Sequence, residues 1–317
     1  MTCVSSGTVD SAPQSGRRSG LIQALGGPGK TAVIGAAVTI GVALHYRPAV
    51  ALLIGLAVAL PIERRWRRHP FGALRPGLGT DVLHFLFSNT LKIAAIVAAA
   101  AVSWLLLHRL ALQPVSRGLH SLPEWADAAL TFAALNVTYY WEHRLAHRWK
   151  FLWRFHSVHH SSQRLDWLAA ARLHPLEGFF GGFVLTAPLI LLGFGPVQLG
   201  VAGALFAVND VLIHANVRWR LRRLSHWMPT PEYHHWHHAD EPDALNKNFG
   251  WPILDRLFGT FYLPADRRPT HYGVQSPTPQ GYLAQLADPL RPSWPKPSDG
   301  PTPSPGSDQV PTSPRQR

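Results

Sequence analysis

Apolar residues in this chain gather in long runs instead of alternating with charged residues. Five runs contain almost no Lys, Arg, Asp or Glu, and they cover residues 31–44, 49–62, 83–107, 125–141 and 178–213. A helix needs about 20 apolar residues to cross a bilayer, because hydrocarbon offers no partner to a free backbone amide. The pattern therefore predicts an all-α integral membrane helical bundle, in which residues 83–107 form the clearest span.

The other runs predict paired helices. Residues 31–44 and 49–62 are short enough for a hairpin, and residues 178–213 are interrupted by Pro188 and by the Gly193–Pro196 turn. Four arginines within 64–68 and four basic residues within 144–154 flank the apolar runs. Basic residues stay on the cytoplasmic side of a membrane, so both chain ends and the histidine-rich segments that begin at residues 143, 156 and 234 are predicted to lie there.

The amino-acid composition predicts domain boundaries and excludes some classes of partner and of metal site. Apolar residues make up 46% of 317 residues and the formal charge is +12, but the basic residues flank apolar runs, which disfavours a nucleic-acid partner. The single cysteine, Cys3, excludes a disulfide framework or a cysteine metal site within one chain. We predict a disordered leader (1–28), a membrane hairpin with a basic linker (29–80), a membrane domain (81–263) and a disordered Pro-rich tail (264–317).

Histidine is the residue that carries the candidate chemistry. Twelve of the eighteen histidines fall between residues 143 and 238. Three clusters have helical spacing, in which residues at i, i+3 and i+4 share one face and can meet one metal ion. Box one is His143 and His147, box two is His156, His159 and His160, and box three is His234, His237 and His238. Because nine steps separate His147 from His156, a bend or two helices are needed near residues 148–154.

The number of imidazoles favours two ions of a metal with a high coordination number. Three boxes offer eight ligands before His214 is added, whereas zinc sites stop at three or four, so two irons fit best. A zinc protease would need His-Glu-x-x-His, but Arg144 occupies the glutamate position. Carboxylate-bridged iron bundles use Glu-x-x-His twice, and only Glu232 and His235 have that spacing.

These boxes, together with the segments 248–250 and 251–260, resemble the fatty acid hydroxylase / sterol desaturase superfamily over roughly residues 81–263. The resemblance implies a membrane fold whose cytosolic, histidine-rich helical cap holds a di-metal centre. It also implies oxidation of sterols, fatty acids, ceramides or alkylglycerols. The ligands it implies are His143, His147, His156, His159, His160, His234, His237 and His238, and His214 matches one further histidine that the family often has before box three.

Other histidines have separate interpretations. His174 precedes Pro175, so it is a candidate for a helix cap, for orienting a ligand, or for ligation itself, and no catalytic residue beyond the metal ligands is predicted. His226 and His235 are interpreted as non-ligands, because His235 points about 100° away from His234 on a helix. Carboxylates that could support the ligands cannot be ranked from sequence: Asp166, Glu177, Asp210, Glu232, Asp240 and Asp255.

The resulting hypothesis is a membrane-bound non-haem di-iron oxidoreductase that uses dioxygen to hydroxylate or desaturate a membrane lipid. Electrons would come from a separate reductase or redox protein, because the sequence has no Rossmann glycine pattern and no cysteine set for an iron–sulfur cluster. The alternative is a histidine-rich metal transporter or metal-binding membrane protein. A transporter would need ionisable residues within its spans, and Asp210 is the best candidate.

Overall fold

The computed structural model describes residues 47–70, 74–110, 112, 115, 118, 121–274 and 278–292. All regular elements in this part of the chain are helices, which confirms the predicted all-α class. Ten α-helices occur: α1 (Arg47–Trp66), α2 (Leu78–Leu83), α3 (Asn89–Leu107), α4 (Glu124–Arg148), α5 (Lys150–His160), α6 (Pro175–Leu191), α7 (Pro196–His214), α8 (Pro231–His237), α9 (Pro252–Leu257) and α10 (Tyr282–Ala287). A single π-helical turn, His84–Ser88, joins α2 to α3.

One continuous helical stretch among the described residues, Leu78–Leu110, is long and apolar enough to cross a membrane. It contains α3 and covers the predicted span at 83–107. Helices α6 and α7 are shorter apolar helices. The predicted leader and residues 31–44 of the predicted N-terminal hairpin lie outside the described residues. The other half of that hairpin, residues 49–62, belongs to α1. The domain boundaries stay predictions.

Prolines mark the starts of the helices near the histidines. Helices α6, α7, α8 and α9 each begin at a proline, where the missing amide costs no hydrogen bond and the fixed φ suits a helix. The predicted break in residues 178–213 is confirmed between α6 and α7. Pro188 does not contribute to it, because this residue lies inside α6.

Helices α3 and α6 approach each other at two glycines four residues apart. A Cβ atom built on Gly178 would lie 2.7 Å from the backbone oxygen of Lys92, and one on Gly182 would lie 3.1 Å from the Cα of Ile96. Small residues at this spacing allow helix backbones to touch. The contact places the start of α6, which adjoins box two, directly beside α3.

A buried ionic network joins the linker before α2 to the loop that follows box two. Arg75 binds Asp166 through Nε and Nη2 at 2.6 and 2.7 Å, and its Nη2 lies 2.6 Å from Asp81. Arg172 binds the other oxygen of Asp81 through Nε at 2.6 Å. Because each charge has an opposite partner, the network holds the linker, α2 and this loop in one arrangement.

Residues 278–292 lie within the predicted Pro-rich tail, and Tyr282–Ala287 of this segment forms helix α10. Helix α10 inserts Gln285, which is 1% exposed, between box two and the span: its Oε1 lies 2.9 Å from His84 Nε2 and its Nε2 donates to Ser161. The Pro- and Ser-rich composition of this segment gave no indication that Gln285 would be buried and hydrogen-bonded. Residues 293–317 lie outside the described residues.

Replacing Asp81 by alanine should destabilise the protein strongly, because two buried guanidinium groups would lose their shared partner. Breaking a buried ion pair costs about 3–5 kcal/mol. We expect a clear drop in the midpoint of thermal unfolding in detergent. Asp266→Ala, which removes an exposed carboxylate, should leave the midpoint nearly unchanged. Equal midpoints for the two variants would contradict the role assigned to the network.

Candidate metal centre

A single extended residue lets boxes one and two face each other. Helix α4 ends at Arg148 and α5 begins at Lys150, and between them Trp149 adopts φ −93° and ψ 112°. The predicted bend near residues 148–154 is therefore confirmed. Without this break, one straight helix would direct the two boxes to opposite sides.

The structure brings the nine predicted ligands into two groups, each with its ligand atoms within 4.8 Å of one another. The larger group draws on α4, α5 and α8. The smaller draws on α5, α7 and the end of α8. Group one is His143, His147, His156, His160 and His237, and group two is His159, His214, His234 and His238. Both groups contain histidine alone, with no Cys, Asp or Glu of the described residues among them.

Pairs four residues apart stay together, and the third histidine of each triple joins the other group. His156 and His160 belong to group one, whereas His159 faces group two. His234 and His238 belong to group two, whereas His237 faces group one. The sequence indicated that the members of box three share one face. It did not indicate that α5 and α8 each serve both groups.

The distances between ring nitrogens match adjacent ligands on one metal ion. In group one, His156 Nε2 lies 3.1 Å from the Nε2 atoms of His143 and His147. In group two, His214 Nε2 lies 3.0 Å from that of His234 and 3.1 Å from that of His238. With metal–nitrogen bonds of about 2.1 Å, ligands at right angles lie roughly 3.0 Å apart and tetrahedral ligands roughly 3.4 Å apart.

The protonation of these rings explains why a cation fits between them. The Nδ1 atoms of His143, His237 and His214 face carbonyl oxygens at 2.6, 2.8 and 2.6 Å. A carbonyl only accepts, so each Nδ1 carries the proton and each Nε2 of a neutral ring presents a lone pair. Lone pairs about 3 Å apart repel each other, and a shared metal ion removes that repulsion. His237 Nε2 is accordingly buried with no hydrogen-bond partner within the described residues.

Burial keeps the cap histidines in the form that binds metal. Desolvation, reinforced by neighbouring imidazoles, holds the pKa of each well below the ordinary 6.5; these are His159, His160, His234, His237 and His238. Metal ligation requires neutral imidazole. The donor set and its protonation thus fit two metal ions, and the role of each residue as a ligand stays a prediction.

Two carboxylates hold ligands in place. Glu177 Oε1 lies 3.1 Å from His156 Nδ1. Asp255 accepts from the backbone amides of Phe249 and Gly250 at 2.9 and 3.0 Å, which fixes the loop whose Phe249 carbonyl accepts from His143. Of the other candidates, Asp210 supports His214 mainly through its backbone carbonyl, and Asp166 belongs to the ionic network.

His174, His226 and His235 lie outside both groups. His174 caps α6 by accepting from Leu176 N, and its Nε2 lies 3.1 Å from Leu286 O. His235 is 1% exposed and has partners of its own, with Nδ1 3.1 Å from Arg68 Nη1 and Nε2 3.1 Å from Ala215 O. His226 contacts Arg256 and stacks on Phe261.

Sequence reasoning missed Lys92, a charged residue of the span. Its Nζ lies 3.4 Å from Glu177 Oε1, so it neutralises the carboxylate that holds His156. A lysine inside an otherwise apolar run of more than 20 residues is unusual, and that was the available signal. The sequence did not indicate that Glu177, on another helix, would be the partner of Lys92.

Comparisons with known proteins agree with this centre. A family model described as fatty acid hydroxylase matches residues 128–260, which include all nine histidines. An ornithine lipid hydroxylase from Rhizobium tropici is 32% identical over 253 residues, covering 77% of this chain and 74% of the relative. No solved structure matches the chain.

More distant relatives share a shorter region. An alkylglycerol monooxygenase from Danio rerio is 32% identical over 150 residues, covering 47% of this chain and 33% of that protein. A very-long-chain aldehyde decarbonylase from Arabidopsis thaliana is 30% identical over 157 residues, covering 44% of this chain and 25% of that protein. The match to the bacterial hydroxylase, however, extends over most of both proteins. This chain therefore belongs to the fatty acid hydroxylase family.

Proposed function

We propose that this chain is a membrane-bound non-haem di-iron oxygenase that hydroxylates or desaturates a lipid with dioxygen. The observation that carries the proposal is the pair of adjacent histidine groups with converging nitrogen atoms. The rings of His160 and His238, one from each group, stack with centroids 4.4 Å apart, so the two ions would be neighbours. Five and four imidazoles suit iron better than zinc, which stops at three or four ligands.

Bound iron would supply dioxygen activation and the abstraction of hydrogen from carbon, and the protein would supply everything else. The nine histidines hold the ions, and Glu177, Phe249 O, Lys247 O and Asp210 O orient four of them. Phe249, which is 2% exposed, lies against His143, His147 and His237 and excludes water from group one.

The centre would lie at the cytoplasmic ends of a multi-pass bundle. The stretch Leu78–Leu110 is one candidate span; α6 packs directly against it, α4 packs against α6, and α7 packs against α4. His143 and His147 end α4 and His214 ends α7, so these helices deliver three ligands to one side of the membrane. A lipid chain could then reach the centre laterally from the bilayer.

The substrate class and the electron donor are proposed by analogy with related proteins. The names of three similar proteins refer to an ornithine lipid, an alkylglycerol and a very-long-chain aldehyde, and these share a long apolar part with a polar end. We assign a lipid of this kind as the substrate. Dioxygen would be the second substrate, and a separate redox protein would supply the electrons.

A metal transporter is the second candidate, and the distribution of charge argues against it. Transport requires ionisable residues along a path through the spans. Lys92 instead pairs with Glu177, which contacts His156, and Asp210 lies beside His214, so these charges adjoin the histidine groups. Storage or ligation of metal without oxidation remains the competing outcome in the experiments below.

Replacing single histidines should distinguish the predicted ligands from histidines that do not bind metal. In His237→Ala, group one loses a nitrogen, so bound iron should fall by about half or more. Oxidation should fall by more than the roughly 10- to 100-fold cost of losing a ligand's hydrogen-bond partner. His271→Ala, an exposed histidine, and His235→Gln, a buried one outside both groups, should retain iron. Full iron and activity in a correctly inserted His237→Ala protein would refute the proposed centre.

The purified protein should contain close to two irons per chain and should stay inactive until a reductant is added. Lipids of a host that expresses the gene should show a gain of one oxygen or a loss of two hydrogens, measured by mass spectrometry against the His237→Ala strain. Two irons with no lipid change and no reductant-dependent oxygen uptake would favour metal storage over oxidation.

The cap should be cytoplasmic. In a Cys3→Ser background, Gln163→Cys, which is exposed just after box two, should react with a membrane-impermeant thiol reagent only when the cytoplasmic face is opened. Ser121→Cys, exposed at the other end of α4, should react from the opposite face. Labelling in the reverse pattern would show that the orientation is wrong.

A further inference from the structure

Two arginine-rich segments, which are far apart in the sequence, lie side by side where α1 and α7 end. Arg218, just after the end of α7, donates its backbone amide to Trp66 O at 2.7 Å. Next to this bond, Arg67 and Val217 form an antiparallel bridge. Leu52 of α1 and Val217 also belong to one buried apolar cluster. The end of α1 and the segment that follows α7 therefore form one surface.

The two segments carry many arginines and no carboxylate. Residues 64–67 and 218–223 contain no Asp or Glu. Arg222 is held by the fold, because it donates to Pro264 O and Leu263 O at 2.9 and 3.0 Å. The other arginines are exposed, and their guanidinium groups make no hydrogen bond or ion pair within the part of the chain that the structure describes. We call these side chains the basic patch, which consists of Arg64, Arg65, Arg67, Arg218, Arg220 and Arg223.

Exposed apolar side chains lead to the basic patch along both helices. They are between 53% and 61% exposed, and they are Ile54 and Val58 of α1 and Leu205, Val208 and Leu212 of α7. The three residues of α7 recur every three or four positions, so they follow one side of that helix. In a membrane protein such side chains face the hydrocarbon of the bilayer. The basic patch then lies where the hydrocarbon ends and the headgroups begin.

A pair of tryptophans lies at the same place. Trp66 and Trp219 contact each other edge to face, with ring centroids 5.8 Å apart. Tryptophan is enriched at the level of lipid headgroups, because its ring is apolar and its N–H is polar. The bilayer that covers the apolar side chains therefore presents its headgroups directly to the arginines. An acidic protein would have to displace those headgroups before it could reach the basic patch.

We propose that the basic patch binds the phosphate groups of anionic phospholipids in the cytoplasmic leaflet. A guanidinium group matches phosphate oxygens with paired hydrogen bonds. Clusters of four to eight basic residues at the cytoplasmic end of a membrane helix attract lipids with a net negative charge. A zwitterionic lipid gains less, because its own ammonium group compensates its phosphate. The inference goes beyond the proposed oxidation and does not depend on it.

Fluorescence quenching in the full chain, placed in phosphatidylcholine nanodiscs, tests the inference. In a Cys3→Ser background, Val58→Cys carries a bimane label on the exposed apolar part of α1. The probes are phosphatidylglycerol and phosphatidylcholine, each with a nitroxide on the acyl chain and added at equal mole fraction. We expect phosphatidylglycerol to be enriched about fivefold around the label, the factor that corresponds to one arginine–headgroup interaction. The measurement needs neither iron nor turnover.

Two controls separate the basic patch from the charge of the whole protein. A label at Leu106→Cys, which is exposed at the end of α3 away from the cap, should show no enrichment. Replacing Arg218, Arg220 and Arg223 together by glutamine should lower the enrichment at Val58→Cys about twofold or more, because three of the six charges are lost. Lysine at the same three positions keeps the charge and should preserve the enrichment.

Equal quenching by the two lipids in the protein with all its arginines would overturn the inference and would leave an acidic protein as the partner of the basic patch. That comparison requires no arginine variant, so it holds even if a variant fails to fold. Equal enrichment at Leu106→Cys, or full enrichment in a folded glutamine variant, would also overturn the inference, because the preference would then not come from the basic patch.

Discussion

Within each histidine group, imidazole rings whose Nε2 lone pairs lie about 3 Å apart repel each other unless positive charge lies between them. Hydrogen bonds and ion pairs around these rings hold them in this arrangement. Carbonyl oxygens of residues 210, 247 and 249 fix the proton on Nδ1 of three rings and so direct Nε2 inward. The ionic network of Arg75, Asp81, Asp166 and Arg172 anchors the loop after box two. The stability of the cap and its affinity for metal are therefore linked through one arrangement of ligands.

Periodicity and spacing in the sequence were sufficient for the all-α class, the candidate span in Leu78–Leu110, the break before Pro196 and the bend at Trp149. Spacing also indicated which histidines of one helix lie together, because residues i and i+4 of a helix lie on one face. The division of α5 and α8 between two groups was not predictable. This division depends on the angles at which the helices cross, and residue spacing in the sequence does not specify those angles.

Contacts between distant segments were the other part that sequence could not provide. Lys92 meets Glu177 because Gly178 and Gly182 let two helices touch, and neither residue alone indicates the other. Gln285 belongs to a stretch whose Pro- and Ser-rich composition is typical of disorder, yet it lies buried against His84. Composition averages over a window, whereas a single buried side chain can fix a short segment.

The shared use of two helices has a consequence for assembly. Helix α5 places His156 and His160 in one group and His159 in the other, and α8 divides its histidines in the same way. An ion that enters either group therefore fixes a helix that the second ion also needs, and the ordering entropy is lost once for both. Loading should be cooperative, so that chains with a single ion are rare even when iron is scarce. Under the proposed function, a cell would then contain complete centres or empty ones, which would limit the number of half-filled sites able to react with oxygen in the absence of a lipid.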